Sequence, residues 1–136
     1  EEYYTYTLKG ELESHITASG VKTIYERDYL GRVIGKKIFE KDSLLSEESF
    51  FYIGYLLMRQ IDPEGHAKTY DYDPAGRKIA ETFGGETIHY KYDSLGRVSE
   101  IEEGGEITFK IYDFLDRMIE ERRETLSGQI IEKVLY

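Results

Sequence analysis

The chain has 136 residues, a net charge of −9 and no cysteine. Its acidic residues are spread along the chain without the clustered cations that phosphate binding needs, which argues against a nucleic-acid partner. The absence of cysteine excludes a disulfide framework. No apolar run approaches the roughly 18 residues that span a bilayer, so we expect no membrane insertion in this segment.

Turn signals follow one another along the whole chain. They fall at Thr7–Gly10, Thr17–Gly20, Asp28–Gly31, Ile53–Leu56, Asp62–Gly65, Asp73–Gly76, Thr82–Gly85, Asp93–Gly96, Glu102–Gly105, Asp113–Asp116 and Thr125–Gly128. From Ile53 to Asp113 the steps between turn starts alternate between 9 and 11 residues, so each 20-residue unit holds two strands and two turns. We predict an all-β fold, an antiparallel meander of about 12–13 short strands that forms a twisted strip of β-hairpins with a roughly 20-residue repeat.

Two segments depart from this pattern. Residues 40–48 carry about five extra residues relative to the 20-residue step, and we predict a longer polar turn there. A short helical turn is the alternative, because Leu and Glu favour helices. Residues 53–56 lack the usual turn residues and are placed by spacing alone.

One motif, Tyr-Asp-x-x-Gly-Arg, recurs within the regular part, residues 52–118. Tyrosine stands at positions 52, 72, 92 and 112, and the motif residues are Tyr72, Asp73, Gly76, Arg77, Tyr92, Asp93, Gly96, Arg97, Tyr112, Asp113 and Arg117. The residue preferences are those of a type I turn followed by a left-handed glycine, which is a three-residue hairpin loop. Asp116 replaces the third glycine and is a residue type that tolerates this conformation.

The loop length predicts which side chains face each other. Each motif Asp should oppose the Arg four residues later, and Asp28 should oppose Arg32 in the same way. One position further out, we expect the pairs Tyr92–Val98, Tyr112–Met118, Tyr52–Met58, Tyr6–Leu12, Arg27–Val33 and Tyr72–Lys78. In residues 107–111 the apolar positions shift relative to Tyr112, which indicates either a bulge or a sheet that is partly covered on both faces.

The three motifs in phase resemble the YD-repeat, or RHS-repeat, family of large extracellular and toxin-associated proteins. The resemblance is strong over residues 62–118 and weaker on either side. It implies a strip of β-hairpins that spirals into a hollow shell. In bacterial members the shell encloses a toxic domain, teneurin-like members are adhesion proteins, and wall-associated relatives are linked to carbohydrate binding. It further implies a secreted or cell-surface location.

Candidate sites for chemistry are sparse. His66 replaces the turn arginine opposite Asp62, His89 and His15 lie in strands, and none has a second His or a Cys at metal-ligand spacing. Acidic pairs such as Glu102–Glu103 suit a solvated surface. Four tyrosines, Tyr70, Tyr72, Tyr90 and Tyr92, would form an aromatic platform for glycans or peptides if exposed, and core packing if buried.

The sequence therefore favours a structural role without catalysis, cofactor or metal. We expect a single array over residues 1–136, a piece of a longer protein, whose partners are the rest of its own array and an enclosed or displayed domain. The alternative is an adhesion module that binds carbohydrate or protein through tyrosine-rich strand faces. Open sheet edges favour self-association.

Overall fold

The computed structural model describes all 136 residues and contains strands and turns but no helix. The strands are β1 (Tyr3–Tyr6), β2 (Leu12–Ile16), β3 (Val21–Arg27), β4 (Val33–Glu40), β5 (Ser43–Ile53), β6 (Leu56–Ile61), β7 (Ala67–Tyr72), β8 (Lys78–Phe83), β9 (Glu86–Tyr92), β10 (Val98–Glu103), β11 (Glu106–Tyr112), β12 (Met118–Thr125) and β13 (Ile130–Leu135). They form one 13-stranded antiparallel sheet whose strand order is the chain order. The predicted all-β meander is confirmed.

The chain divides into two compact units, Glu1–Lys68 and Thr69–Tyr136, each described below by itself. A single continuous array over residues 1–136 remains a prediction.

The turns that carry the Asp-x-x-Gly pattern are three-residue hairpin loops. At residues 73–77 the Gly76 N–H donates to the Asp73 carbonyl at 2.9 Å, and the Asp73 N–H donates to the Arg77 carbonyl at 2.9 Å. Gly76 has a φ of 82°, and Asp116 adopts the same left-handed conformation with a φ of 62°. The same two bonds close the loops that begin at Thr7, Thr17, Asp28, Asp62, Asp93, Asp113 and Thr125.

Two-residue turns close four hairpins, which corrects the predicted turn positions at 82 and 102. Phe83 pairs with Glu86, so the turn residues are Gly84 and Gly85, with φ values of 61° and 87°. Both positive values match a type I′ turn, whose twist suits the flanking strands. The turn therefore begins one residue later than predicted, and the hairpin after Glu103 is built in the same way.

The predicted polar loop at 40–48 is wrong, and so is the helical alternative. Glu40 pairs with Ser43 across Lys41 and Asp42, whose φ values are 48° and 65°. The extra residues instead lengthen β4 to 8 residues and β5 to 11, because continued strand pairing satisfies backbone groups that a loop would leave to solvent.

The predicted pairing of Tyr52 with Met58 is wrong, because a two-residue turn closes this hairpin. Ile53 pairs with Leu56 across Gly54 and Tyr55, so Tyr52 faces Leu57 and not Met58. The expected Tyr92–Val98, Tyr112–Met118, Tyr6–Leu12 and Arg27–Val33 pairs are present.

Bulges and a change of face together explain the imperfect alternation. In β10 the pairing shifts between Val98 and Glu100, which leaves Ser99 as an extra residue. Across the following strands one face carries the row Tyr90, Ile101, Thr108 and Arg123, while the other carries Lys91, Glu100, Phe109 and Arg122. Apolar side chains thus move from one face to the other between β10 and β11.

This sheet has almost no conventional core. Ala80 is the only buried hydrophobic residue and Ser14 the only buried polar one, at 6% and 8% exposure. Most strand side chains on both faces are half-buried. Stability must therefore come from contacts between neighbouring hairpins.

Turn geometry gives a direct test at Gly96, which has a φ of 84°. We expect Gly96→Val to lower the free energy of unfolding by roughly 1–2 kcal/mol, because a β-branched residue resists the left-handed conformation. Ser94→Ala, in the same loop, should change it by less than about 0.5 kcal/mol. Urea unfolding followed by circular dichroism measures both, and equal midpoints would contradict the turn assignment.

Candidate functional site: the tyrosine–arginine ladder

Each Tyr-Asp turn is closed by its own aspartate and arginine, as the loop length predicts. One carboxylate oxygen of Asp93 accepts hydrogen bonds from the backbone N–H groups of Leu95 and Arg97, both at 2.9 Å. The other oxygen accepts from Nε of Arg97 at 2.7 Å. The Asp28–Arg32, Asp73–Arg77 and Asp113–Arg117 pairs have the same arrangement.

These bonds stabilise the ionised carboxylates. The backbone N–H of Arg97 is the largest influence that lowers the pKa of Asp93 below its ordinary value, and the Arg97 guanidinium adds to it. The pKa values of Asp73 and Asp113 are lowered by their own turn arginines in the same way. Each of these aspartates is thus held in its turn as the ionised carboxylate.

Three of these four arginines, all except Arg117, also contact the tyrosine at the end of a later strand. In the second unit the guanidinium carbon of Arg77 lies 4.7 Å from the Tyr92 ring centroid, and that of Arg97 lies 4.7 Å from the Tyr112 ring centroid. In the first unit Arg32 lies 4.6 Å from the Tyr52 ring centroid. These distances are those of cation–π contacts.

The tyrosine hydroxyls complete the link between repeats. The Tyr92 hydroxyl donates to the backbone carbonyl of Lys78 at 2.6 Å, and the Tyr112 hydroxyl donates to that of Val98 at 3.0 Å. Each acceptor directly follows the arginine on which the tyrosine stacks. We call this series of stacked Arg–Tyr pairs, with the aspartates that hold the arginines, the tyrosine–arginine ladder.

Asp116, the exception to the motif, takes part in the ladder. Arg97 donates to the Asp116 carboxylate at 2.8 Å and to the backbone carbonyl of Asp113 at 3.1 Å. The residue that replaces glycine therefore supplies a second carboxylate to the arginine of the preceding turn. Arg97 is 22% exposed, whereas Arg117, which pairs only with Asp113, is 71% exposed.

Sequence reasoning missed the link between repeats. It paired each tyrosine with the residue across its own hairpin, although Tyr92 and Tyr112 also reach the preceding turn. The sequence does contain a signal for this link, namely the constant 15-residue separation from Arg77 to Tyr92 and from Arg97 to Tyr112. Successive turns at one edge of a meander lie close together. A separation of 15 residues therefore places the arginine and the tyrosine side by side.

The four platform tyrosines are half-buried. Tyr92 belongs to the ladder, and the Lys78 ammonium lies 5.8 Å from the Tyr70 ring centroid and 4.8 Å from that of Tyr90. Lys78 also hydrogen-bonds to the Glu81 carboxylate. A cation thus lies over two of the rings, and a ligand platform remains a prediction.

The histidines lie outside the ladder. His66 Nδ1 is 3.2 Å from Asp62, the surface pair that was expected. Asp62, Glu64 and His66 have ligand atoms within 4.8 Å of one another, and Glu64 and His66 are exposed. His15 stacks on Tyr4 with ring centroids 4.3 Å apart.

Comparisons with known proteins identify the fold. No protein-family model matches the sequence, and no curated protein sequence matches it. A crystal structure described as TcdB2-TccC3-TEV aligns with 99% of this chain at a TM-score of 0.81 and 18% identity, and the match spans 8% of that chain. TcdB2-TccC3-Cdc42 aligns with 89% of this chain at a TM-score of 0.76 and 19% identity, over 7% of that chain.

A Tc holotoxin pore from Photorhabdus luminescens aligns with 99% of this chain at a TM-score of 0.52 and 14% identity, over 10% of that chain. The chain thus spans a tenth or less of the length of each of these structures. At these identities the likeness establishes the fold: this chain folds as a β-sheet segment of Tc toxin chains does.

The ladder predicts that replacing Arg97 and replacing Arg117, which occupy equivalent turn positions, will lower the unfolding free energy by different amounts. Arg97→Leu removes the Asp93 pair, the stacking on Tyr112 and the bonds to residues 113 and 116, so we expect it to cause the larger loss of unfolding free energy. Arg117→Leu removes only an exposed pair and should cost less than about 1 kcal/mol. Urea titration compares the two variants, and equal losses would show that the contacts between repeats contribute nothing.

The lowered aspartate pKa values predict acid sensitivity. Because the folded-state pKa lies below the unfolded value of about 3.9, the stabilisation is complete above that value and is lost as the pH falls through the folded-state value. The triple variant Asp73→Asn, Asp93→Asn, Asp113→Asn should therefore lose less stability than the wild type between neutral and acid pH. Urea midpoints measured as a function of pH test this.

The matched control replaces Glu40, Glu86 and Glu103, three exposed acids without ion pairs, by glutamine. It makes the same change in charge but should keep the pH dependence of the wild type. If the control and the aspartate variant behave alike, the acid sensitivity arises from net charge and not from the turns.

Proposed function

We propose that this chain is a structural segment of the shell or scaffold of an RHS-type toxin or large surface protein, which encloses or displays another domain. The observation that carries the proposal is the tyrosine–arginine ladder, in which three arginines stack on a tyrosine of a later hairpin and two of these links, Arg77–Tyr92 and Arg97–Tyr112, repeat after 20 residues. The Tyr-Asp motifs and the fold shared with Tc toxin chains support it. A third TcdB2-TccC3 crystal structure, which aligns with 89% of this chain at a TM-score of 0.76, is described as being without its hypervariable C-terminal region, which fits a fold that accompanies a further region.

The mechanism is geometric. With almost no buried core, each hairpin is stabilised mainly by its neighbours, so the array can grow by adding units of the same kind. The arginines and aspartates of the ladder are engaged in hydrogen bonds and stacking, which leaves no general base or nucleophile among them. We therefore propose that this segment has no catalytic activity of its own.

The proposal also specifies surroundings and partners. They are the rest of the array, an enclosed or displayed domain, and a secreted or cell-surface parent protein. No helix in this structure has the length and hydropathy needed to cross a lipid bilayer. The outer strands β1 and β13 expose most of their side chains, which favours self-association through sheet edges.

The alternative function is adhesion to glycan or protein through Tyr70, Tyr72, Tyr90 and Tyr92. Exposed aromatic rings would favour it. The half-buried state of these rings and the position of Lys78 favour packing instead, so the scaffold is the better supported function.

A duplication tests whether the chain is an extendable scaffold. A second copy of Asp93–Tyr112, inserted directly after Tyr112, repeats one 20-residue unit and keeps every later turn at its own edge. We expect the longer protein to fold with an unfolding free energy no lower than that of the wild type, because each unit contacts only its neighbours. The urea m-value should rise with the added surface.

The control inserts only the first ten residues of that copy, Asp93–Glu102, at the same place. This half unit moves the following Asp113 turn to the opposite edge and separates Arg97 from Asp113 and Asp116. It should be strongly destabilised. If both insertions unfold the protein to the same extent, the segment is not a modular scaffold.

A further inference from the structure

A shallow groove lies on one face of the first unit, across β2, β3 and β4. It has a volume of about 410 Å³ and is lined by the apolar side chains of Ile16, Ile24 and Phe39 together with Lys22 and Lys41. Ile16 pairs with Lys22 and Lys22 pairs with Phe39, so a lysine stands between two apolar residues in one cross-strand row. The groove thus combines apolar walls with positive charge.

The two lysines differ from all other cations of the chain. Of the 18 lysine and arginine side chains, those of Lys22 and Lys41 alone form no hydrogen bond, ion pair or ring contact with the protein. The other 16 are engaged. Both unpaired ammonium groups belong to residues that line the same groove.

The neighbouring lysine shows that pairing is available on this face. Lys37 lies opposite Ile24 and binds Glu26 at 2.5 Å and Glu47 at 3.5 Å. In a protein of net charge −9, most cations find a carboxylate. Lys22 and Lys41 do not, and they lie beside half-buried apolar residues. Together these residues form a surface complementary to an apolar group that carries negative charge.

We propose that this groove is a docking site for an acidic, apolar peptide segment of a partner protein. Its volume falls in the range of about 300–1,000 Å³ that is usual for binding sites. The apolar side chains of the peptide lie against Phe39, Ile16 and Ile24, and an adjacent carboxylate pairs with Lys22. Asp42 lines the groove beside Lys41 and offsets its charge, so Lys22 is the main anchor.

The length of the surface favours a peptide over a small carboxylate. A second groove of about 330 Å³ shares Lys22 and Ile24 and is lined further by Ser14, Thr5 and Glu13, so the acidic group of the peptide belongs at the Lys22 end of the surface. Together the two cross from β1 to β4, three strand spacings or about 14 Å, which matches four to five extended residues. This interaction surface goes beyond the scaffold proposal and does not depend on it.

The test uses the 136-residue chain and two fluorescein-labelled peptides. One has the sequence Ser-Glu-Phe-Glu-Leu-Ser, and the matched peptide carries Lys in place of both Glu. Fluorescence anisotropy should show saturable binding of the acidic peptide and at least about tenfold weaker binding of the basic one. Amide shifts in a ¹⁵N spectrum should concentrate at residues 14–42.

Charge-reversal variants locate the anchor. Lys22→Glu should weaken binding of the acidic peptide about tenfold and Lys41→Glu less, whereas Lys9→Glu, the same change outside the groove, should leave it within about twofold of the wild type. Circular dichroism and urea midpoints verify that each variant is folded. The proposal is overturned by equal binding of both peptides, by no saturation up to millimolar peptide, or by equal losses in Lys22→Glu and Lys9→Glu.

Dodecanoate serves as a competitor that carries an alkyl chain and one carboxylate. Competition weaker than that of unlabelled acidic peptide supports the peptide site. Displacement by dodecanoate at lower concentration than unlabelled peptide, with the same dependence on Lys22, would make the groove a fatty-acid site and overturn peptide docking.

Discussion

The guanidinium group that joins two repeats is the interaction on which the regular part of this structure depends. Arg97 holds the carboxylate of its own turn and stacks on the tyrosine of the next. An arginine can do both, because its planar fork offers directed donors at the edge and a flat face for an aromatic ring. A lysine in the same place would supply charge without the stacked plane.

That interaction matters because the sheet buries so little. Only Ala80 is a buried hydrophobic residue. The burial of apolar surface, which stabilises most domains, is therefore only partial and is distributed over the two half-covered faces of the sheet. Hydrogen bonds and ring contacts between neighbouring hairpins must then carry a larger share. The ladder supplies both at the turns, where a single-layer sheet would otherwise be most exposed to solvent.

Turn chemistry sets the positions at which the ladder can form. Three-residue loops place Asp and Arg opposite each other, whereas two-residue turns, such as the one at Gly84 and Gly85, bring the chain back without a charged pair. In the second unit the Tyr-Asp loops therefore recur at one edge and allow each arginine to meet the next tyrosine. The groove of the first unit lies away from the Tyr-Asp turns, on a strand face beside the two-residue turn at Lys41 and Asp42, and two lysines remain unpaired there.

Much of this architecture was determined by the sequence itself. The strand number, the three-residue loops and the Asp93–Arg97 type of pair depend on residues within five positions, where turn chemistry dictates geometry. Position 116 also follows this local rule, because aspartate tolerates a left-handed backbone. The local motif, however, gave no hint that its carboxylate binds Arg97.

Only the tertiary structure decided the contacts that require strands to be paired. The stacking of Arg97 on Tyr112, the two-residue turn at Lys41 and Asp42, and the change of face between β10 and β11 all depend on register, which bulges shift by one residue at a time. The unpaired state of Lys22 depends on its cross-strand neighbours Ile16 and Phe39, which lie 6 and 17 residues away in sequence. Local preference selects the hairpins, but non-local pairing selects which side chains meet.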